Sequence, residues 1–550
     1  MSSSTSALGK LPLTFGVEIE HAFGVNQDVV GTDKAYRWLL PGNCTIHPNT
    51  PNPPDFDPGR EEICGILQAV KILRSKGATL NVITWDNEDE GEDREPTDTD
   101  MYSHWNMTED RSVRYPWTAQ QLYELSGGRI TMWPGWEFSG LELISPALKV
   151  PEFGSGHFLP NGLDQVKGFL DLMNEPQPQG TPYCFLSGPQ MAGVHVHIGL
   201  QPQPDRQLDL PTEFLRHLAF ICLAYEDTIT LLHHPQRHGY TRSYSYPHVR
   251  SNRFVGRLVP PFPRHRCQKG PEFSLADVFL RLFRARDTNE LVELLTTVPS
   301  DNSGDYQYMV RECFVNFTNC FDFGSSPMKR TVEFRQHHGT LDAEDIGQWV
   351  VFLTALARTA ERKANEQPPP AAACTVPTLL LRRILTANIG ERVAPGKTDV
   401  LDTPADVLWR ETISDARIMA PIIREAVKYP QLFHTDTRRS LKELFDLIEL
   451  PVPYRRYWWE RAKRCRAEWA ATWRGLIPCL DVEPCALEPV RDNKGWAAGE
   501  LDVPPWDVDA DQSTDTFLRA EPQPQPQLSR PNVMSIEAIM NGSEPVSLPE

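Results

Sequence analysis

The sequence predicts an α+β fold, because segments with the period-two alternation of strands are interspersed with long segments of helical periodicity. In the strand segments, apolar residues alternate with polar ones, so each strand would place one face on a core and a polar face opposite it. These segments are 14–20, 141–146, 191–200 and 331–337. The helical segments carry apolar residues three and four positions apart, which is typical of a helix face that packs on a core. Three of them are 61–76, 211–233 and 342–363.

Residues at the ends of the helical segments support these boundaries. Gly77 follows the helix at 61–76 and suits a helix C-terminus. Pro211 suits a first helical turn, and Asp342 suits an N-cap. The further elements that we predict are a strand at 80–84, helices at 162–174 and 275–298, a strand at 306–318 and helices within 400–478.

Composition divides the chain into one large domain and several segments of different character. Nine Asp or Glu residues fall within 86–100, which we interpret as a solvated acidic loop insertion and not as a metal site. Beyond residue 485 the chain becomes rich in Pro, Asp and Gln, which favours disorder. The predicted organisation is a disordered leader at 1–11, a catalytic domain at 12–365, a linker with a short helix at 366–399, a helical region at 400–480 and a disordered tail at 485–550.

Charge and composition argue against several classes of protein. The 550 residues include 73 acidic and 55 basic side chains, for a formal net charge of −18, whereas a general nucleic-acid-binding protein shows a basic footprint. No apolar run reaches the ~20 residues of a membrane span, and the first residues lack the pattern of a signal peptide. The 11 cysteines are scattered without a Cys-x-x-Cys pair, so we expect a cytoplasmic protein with reduced thiols and no zinc site.

Carboxylates and imidazoles occupy the polar faces of the predicted strands. Glu18 and Glu20 share a face of the first strand, and His195 and His197 share a face of the third. Like charges on one strand face repel each other unless a cation compensates them. The two histidines would lie ~6–7 Å apart at a rise of ~3.3 Å per residue, which suits shared metal ions or a phosphate. The alternative is a half-exposed strand with two solvated histidines.

Arginines accompany these residues in an otherwise acidic chain. Glu333 and Arg335 share the polar face of the fourth strand, and Glu142 lies between two leucines in the second. Four arginines follow between residues 237 and 253, beginning with Arg237 after a His-Pro turn. Arginines at this density suit a triphosphate or a substrate carboxylate, although a surface loop paired with the acidic insertion is an equal alternative. A sheet face that collects Glu, His and Arg is expected around a metal–phosphate centre.

The segments FGVEIE, LELISP, GVHVHIG and VEFRQHHGTLD, in this order, resemble those of the amidoligases, a family in the superfamily of glutamine synthetase and glutamate–cysteine ligase. Residues 105–113 are also similar to the family's Asp-Gly-Ser strand, with Arg111 where glycine is usual. The resemblance covers about residues 11–365. It implies a glutamine-synthetase-like fold, in which a curved, mainly antiparallel sheet holds ATP and divalent metal on its concave face and carries long helices on its outer face.

The resemblance also implies an activity and a role for each candidate residue. The activity is ATP-dependent ligation of a carboxylate to an amine through an acyl phosphate, with Mg²⁺ or Mn²⁺. His195 is expected to bind metal or phosphate, His197 to contact the substrate or orient the metal ligands, and Arg335 and Arg237 to hold the transferring phosphoryl group. Glu137 is a weaker candidate in the same part of the sheet. The implied metal ligands are Glu18, Glu20, Glu142, His195 and Glu333.

Two other functions stay open at this point. His-x-His with carboxylates also fits metal-activated water in a metal-dependent hydrolase. A catalytically inactive protein of the same fold would bind only a nucleotide or a partner protein. The arginines favour phosphate chemistry over hydrolysis, and the presence of all expected site residues favours an active enzyme. The expected substrates are a small-molecule or peptide carboxylate and an amine, with neither nucleic acid nor membrane as a partner.

Overall fold

The structure is a computed structural model, and the residues it describes all lie within one compact unit, Met1–Trp506. The described residues are 9–34, 39, 61–83, 103–113, 119–128, 130, 134–154, 157–175, 182–189, 191–202, 208–230, 232–234, 237, 275–299, 307–309, 313–322, 329–367, 416–429 and 437–476. The predicted acidic insertion and tail lie outside them, as do most of the predicted leader and linker. Within the described part of the chain, no helix combines the length and apolar character needed to cross a membrane.

Strands occur throughout the first 340 residues. In chain order they are β1 (Leu13–Asn26), β2 (Leu80–Ile83), β3 (Trp105–Glu109), β4 (Trp136–Ile144), β5 (Leu148–Lys149), β6 (Glu152–Gly154), β7 (His157–Leu159), β8 (Tyr183–Leu186), β9 (Gly193–Leu200), β10 (Thr297–Pro299), β11 (Gln307–Met309), β12 (Val315–Asn316) and β13 (Val332–His338).

Nine of these strands form one sheet, whose main path has the order β12-β13-β9-β1-β4-β3-β2. The short strands β5 and β8 also pair with β1. Each pair is antiparallel except β2–β3. The predicted mainly antiparallel sheet is therefore confirmed, and the four strands predicted from alternation are β1, β4, β9 and β13. The glutamine-synthetase-like curvature stays a prediction.

Helices cover the sheet and dominate the C-terminal half of the described chain. In chain order they are α1 (Gln27–Thr32), α2 (Glu61–Ser75), α3 (Ala119–Leu125), α4 (Leu163–Asn174), α5 (Thr212–Ala224), α6 (Glu226–Thr230), α7 (Leu275–Arg284), α8 (Thr288–Thr296), α9 (Ala343–Asn365), α10 (Ala416–Ala426), α11 (Thr437–Leu447) and α12 (Val452–Leu476).

Helix boundaries agree with the sequence where capping residues mark them and differ where they do not. The Asp342 side chain caps α9 by accepting a hydrogen bond from the Glu344 N–H at 2.9 Å. The single helix predicted at 211–233 is wrong, because Tyr225 leaves helical geometry as the C-cap of α5 and α6 begins after it. Likewise, the segment 275–298 divides into α7 and α8, and its last residues enter β10.

The apolar face of the sheet packs against the helices in one core. Val17, Val196 and Phe334 come from three neighbouring strands, and Trp349 comes from α9; each is at most 1% exposed. Burying an apolar side chain of this size contributes ~1.5–3 kcal/mol to the free energy of unfolding. Because alternate residues point to opposite faces, the register that buries these side chains places the intervening polar residues together on the other face.

Candidate active site

The strand register brings the predicted polar residues together on one face of the sheet. Glu18 lies opposite His195 in the β1–β9 pair. Glu20 lies opposite Glu142 in the β1–β4 pair, and Glu333 lies opposite His197 in the β13–β9 pair. Four adjacent strands therefore contribute to one site. We define the acid–histidine cluster as the following seven residues: Glu18, Glu20, Asp110, Glu142, His195, His197 and Glu333.

His195 is the centre of this cluster. Its Nδ1 lies 3.3 Å from Glu18 Oε2 and 3.5 Å from Glu333 Oε1. Its Nε2 lies 3.3 Å from Glu20 Oε1. The residue is only 2% exposed, so one buried imidazole contacts three carboxylates from two neighbouring strands.

His197 is held between a carboxylate and a hydroxyl group. Its Nε2 lies 3.0 Å from Glu18 Oε1, and its Nδ1 lies 2.9 Å from Thr331 Oγ1. The Lys329 ammonium group also contacts Glu18 Oε1. The Thr331 contact fixes the imidazole ring, so that Nε2 faces the cluster.

Glu333 is oriented from both sides. Asn316 Nδ2 donates a hydrogen bond to Glu333 Oε2 at 2.7 Å, while the Arg335 guanidinium contacts Oε1. Asn316 is itself fixed, because the backbone N–H and the hydroxyl group of Thr318 both donate to its Oδ1, at 2.9 and 2.7 Å. Such outer contacts hold a carboxylate in one orientation toward a bound cation.

Gly193 allows an arginine to approach the cluster. Its N–H donates to Glu20 Oε2 at 2.5 Å. A Cβ atom at this position would lie 2.6 Å from Nη2 of Arg237, so a side chain here would displace the guanidinium group from its observed position. The same Nη2 donates to the Arg335 carbonyl oxygen at 2.8 Å. That carbonyl group lies where the β13–β9 register shifts between Phe334 and His337, and bulges of this kind often occur beside active sites.

Arg237 and Arg335, the arginine pair, place two positive charges beside the cluster. Burial lowers the pKa of Arg237 to about 10, and the charge of Arg335 adds to this effect. Burial also acts to lower the pKa of Arg335, but Glu333, Glu20 and Glu18 raise it above its ordinary value. In the described structure the Nε atom of each arginine is buried without a hydrogen-bond partner. Buried donors without a partner are costly, so these atoms are suited to an anionic ligand.

Cationic side chains stabilise the ionised form of three of the carboxylates. Burial would raise the pKa of Glu18, but Lys329 and His197 hold it well below its ordinary value. Burial likewise opposes ionisation of Glu333, yet Arg335 and His197 lower its pKa to about 2. The pKa of Glu20 is lowered against burial by His195 and the arginine pair. The compensation that we inferred for Glu18 and Glu20 is thus partly supplied by the protein itself.

The surroundings of Glu142 and Asp110 have the opposite effect, because they raise the pKa of both carboxyl groups. Burial and the charges of Glu18, Glu20 and Asp110 raise the pKa of Glu142 well above its ordinary value. Burial and Glu20 also raise the pKa of Asp110. Negative charge is therefore uncompensated at this end of the cluster, beside β3 and β4.

The donor atoms fit divalent metal ions. Three groups, each with one oxygen or nitrogen atom per residue within 4.8 Å of the others, occur in the cluster. They are Glu18–His197–Glu333, Glu18–Glu142–His195 and Glu20–Asp110–Glu142. Carboxylate oxygen and imidazole nitrogen suit Mg²⁺ or Mn²⁺. A cation at the Glu142 end would also remove the repulsion that raises the pKa of that carboxyl group.

We expect Glu142→Gln to stabilise the metal-free protein while weakening Mn²⁺ binding. The folded-state pKa of Glu142 lies above its ordinary value of 4.5. The protonated carboxyl group therefore makes its full contribution to stability below pH 4.5, and this contribution is lost as the pH rises through the folded-state pKa. In EDTA, the variant should therefore unfold at a higher temperature than the parent above pH 4.5. The two melting curves should converge as the pH approaches that value.

Glu137→Gln on the same strand is the matched control. Glu137 is exposed, and it accepts a hydrogen bond from Gln27 Nε2 at 3.0 Å. In the register it lies opposite Val25, away from the acid–histidine cluster. We expect this control to change neither the melting curve in EDTA nor Mn²⁺ binding. Equal melting temperatures for Glu142→Gln and the parent at neutral pH would contradict the uncompensated charge.

Two cavities differ in their relation to this site. A cavity of about 60 Å³ is lined by Glu18, His197 and Lys329 at one end of the acid–histidine cluster. A larger cavity of about 560 Å³ lies at the start of α9 and beside Ser187, and its lining includes none of the predicted site residues. We therefore associate the chemistry with the acid–histidine cluster, one end of which the smaller cavity reaches.

The structure brings together every predicted site residue except Glu137. It also adds two residues that the sequence did not single out. Asp110 lies in the segment that resembles the Asp-Gly-Ser strand, and this resemblance was a signal for it. Lys329 precedes β13 and lies outside the alternating pattern, so no local pattern pointed to its contact with Glu18.

Comparison with protein families gives one match. The family model described as putative amidoligase enzyme matches residues 11–357, which is more than half of the chain. No curated protein and no solved structure gave a significant match. The matched range contains β1, β4, β9 and β13 as well as Asp110 and Arg237, so all residues of the acid–histidine cluster and the arginine pair lie within it.

Proposed function

The chain belongs to the amidoligase family, and on this premise we propose that it is an ATP-dependent ligase that joins a carboxylate to an amine with the help of divalent metal ions. The observation that supports this proposal best is the adjacency of two unlike sites on one sheet face. The acid–histidine cluster suits cations, and the arginine pair beside it offers buried Nε donors without partners in the described structure. A metal–nucleotide complex requires both sites, whereas metal-activated hydrolysis requires only the first.

The proposed reaction has two steps. A substrate carboxylate is a poor electrophile, so its oxygen first attacks the γ-phosphorus of ATP, and the bond to the β-phosphate oxygen breaks to release ADP. The amine nitrogen then attacks the acyl carbon of the resulting acyl phosphate. Inorganic phosphate leaves, and the nitrogen loses a proton as the amide forms.

Residues of this chain would contribute mainly position and charge, which dominate catalysis of phosphoryl transfer. Glu18, Glu20, Glu142, His195 and Glu333 would hold Mg²⁺ or Mn²⁺, which when bound neutralises phosphate charge. Arg237 and Arg335 would bind phosphate oxygens through their buried Nε donors. His197, fixed by Thr331, would orient Glu18 or contact the substrate carboxylate.

The release of ADP tests this proposal against its two rivals. We expect ADP to form from Mg-ATP only when both a carboxylate and an amine are supplied, from mixtures of amino acids, peptides and polyamines. Mass spectrometry should detect a condensed product that has lost one water from the sum of its substrates. Release of ADP without an acceptor would indicate a hydrolase, and tight ATP binding without turnover on any mixture would indicate an inactive binding protein.

A further inference from the structure

A helix beyond the matched family range reaches the edge of the candidate site. The family match ends at residue 357, whereas α12 spans Val452–Leu476. Arg461 of this helix is only 3% exposed. Trp458 in the same helix is fully buried in the core, and the Arg461 guanidinium lies 5.4 Å from the centre of its ring. The helix is therefore docked firmly enough to hold a charged side chain in one place.

Arg461 makes contacts with two parts of the chain that lead into the site. Its Nη2 donates to His337 Nε2 and to His338 Nδ1, both at 3.0 Å. Its Nη1 pairs with Asp345 in the first turn of α9. Its Nε donates to the Leu232 carbonyl oxygen at 2.9 Å. One guanidinium group thus joins the end of β13 to the start of α9 and to the segment after α6.

The contacts of Arg461 account for three neighbouring side chains that would otherwise resemble a metal site. His337, His338 and Asp345 each offer a ligand atom within 4.8 Å of the others. Both imidazoles accept a hydrogen bond from Arg461, so the accepting nitrogens are unprotonated. Burial holds the pKa of each histidine below its ordinary value, which agrees with the neutral form. The charge of Arg461 already occupies the position that a cation would take.

One path connects Arg461 to the acid–histidine cluster through β13. His338 lies opposite Gly193 in the β13–β9 register. The adjacent Gly339 N–H donates to the Ala192 carbonyl oxygen at 2.7 Å. Gly193 is the residue that donates to Glu20 and lies beneath Arg237. A shift of the end of β13 would therefore move the backbone on which these contacts depend.

A second path runs through the segment that ends at Arg237. The ring of His234 lies 5.9 Å from that of His338, between ring centres. The Arg237 N–H donates to the His234 carbonyl oxygen at 2.9 Å. Since Arg461 also binds the Leu232 carbonyl oxygen, it fixes this segment directly and through His338.

We propose that Arg461 is a positioning residue that fixes the end of β13 and the segment leading to Arg237, so that Arg237 and Arg335 stay aligned for the phosphate groups of ATP. The inference rests on the proposed function, because it assigns the arginine pair to a nucleotide. It makes α12 part of the catalytic unit, although α12 lies outside the matched family range.

The test compares Arg461→Gln with Arg455→Gln in the same helix of the full-length protein. Arg455 pairs with Asp446 and donates to the carbonyl oxygens of Leu450 and Phe445, so it is a half-buried, multiply bonded arginine whose described contacts lie in the C-terminal helical region. We measure the thermal midpoint, the affinity for Mn²⁺ alone and the affinity for ATP at saturating Mn²⁺, well below the midpoint.

We expect Arg461→Gln to weaken ATP binding by about tenfold or more, as is common when the supporting contacts of a site are lost. The affinity for Mn²⁺ alone should stay within about threefold, and Arg455→Gln should leave both affinities unchanged even if it lowers the midpoint. A merely structural role predicts the same ATP affinity for both variants and would overturn the inference. A parent protein that fails to bind Mn-ATP would instead overturn the proposed function and the inference with it.

If Arg461→Gln does not fold, the same measurements are made on Arg461→Lys. A lysine can keep the ion pair with Asp345, but it lacks the planar fork that binds His337, His338 and Leu232 together. We expect weakened ATP binding with little change in the thermal midpoint. Parent-like ATP affinity in this variant would show that only the ion pair matters, and it would overturn the positioning role.

Discussion

Replacing both Glu18 and Glu20 with glutamine is expected to abolish metal-dependent ATP binding. The two carboxylates contribute to all three groups of potential metal-binding atoms in the acid–histidine cluster. Loss of even the outer partners of metal ligands typically lowers affinity by about ten- to a hundredfold, so the loss of two direct ligands should exceed a hundredfold. Titration with Mn²⁺, followed by titration with ATP at saturating Mn²⁺, measures both affinities.

The same variant should lose some stability in the absence of metal. The folded-state pKa values of Glu18 and Glu20 lie below their ordinary value of 4.5. Their ionised forms therefore stabilise the protein above that pH, and this contribution is lost as the pH falls through the folded-state pKa values. In EDTA at neutral pH, the double variant should melt below the parent, whereas Glu142→Gln should melt above it.

A double variant with the same change in charge serves as the control. Glu109 and Glu137 lie on β3 and β4, opposite Leu141 and Val25 in the register. Their replacement with glutamine should leave Mn²⁺ and ATP binding unchanged. If the Glu18 and Glu20 variant keeps the metal and nucleotide affinities of the parent, the assignment of the metal site is wrong.

Alternation along single strands was sufficient to predict which side chains share a face. Glu18 and Glu20, or His195 and His197, must lie on one face of a strand, whatever surrounds it. The sequence did not show that β1 lies between β4 and β9, and this order decides which carboxylates meet His195. Strand neighbours are set by contacts between distant segments, and a local pattern contains no information on them.

The distribution of charge within the cluster was also beyond local patterns. We expected a cation to compensate the repulsion between Glu18 and Glu20. In the structure, Lys329 contacts Glu18 and the arginine pair acts on Glu20, so the uncompensated charge falls on Glu142. Lys329 and Arg461 come from segments far from β1 in the sequence, and only the packed structure places them beside the site.

The Trp-rich segment at 454–473 has a helical spacing of tryptophans that is more typical of packing than of a cofactor site, and the burial of two of them agrees with packing. Trp458 and Trp459 are at most 1% exposed. The Trp458 ring lies 5.8 Å from the Trp349 ring of α9, between ring centres. A periodic row of tryptophans predicted a buried helix face correctly, but it did not indicate that Arg461 on the same helix would extend toward β13.

Arg335→Lys is expected to reduce turnover by about two to three orders of magnitude while ATP binding weakens much less. The Arg335 guanidinium contacts Glu333, and its Nε is buried without a partner in the described structure. Lysine keeps the charge but loses the planar fork. A donor aimed at charge that develops in the transition state is commonly worth ~3–4 kcal/mol, so its loss affects the chemical step more than binding of the ground state. Turnover at saturating ATP and metal is the measurement.

Arg330→Lys is the matched control, since Arg330 precedes the same strand and pairs with Asp209 and Asp322 at the surface, at 3.4 and 3.7 Å. We expect it to leave turnover unchanged. The alternative is that Arg335 only neutralises a carboxylate, and in the structure its direct partner is Glu333. If neutralisation is its only role, lysine should serve nearly as well because it keeps the positive charge, and turnover should stay within about threefold of the parent. A hundredfold loss at unchanged ATP affinity therefore distinguishes a group that acts on the transferring phosphoryl group from one that only balances charge.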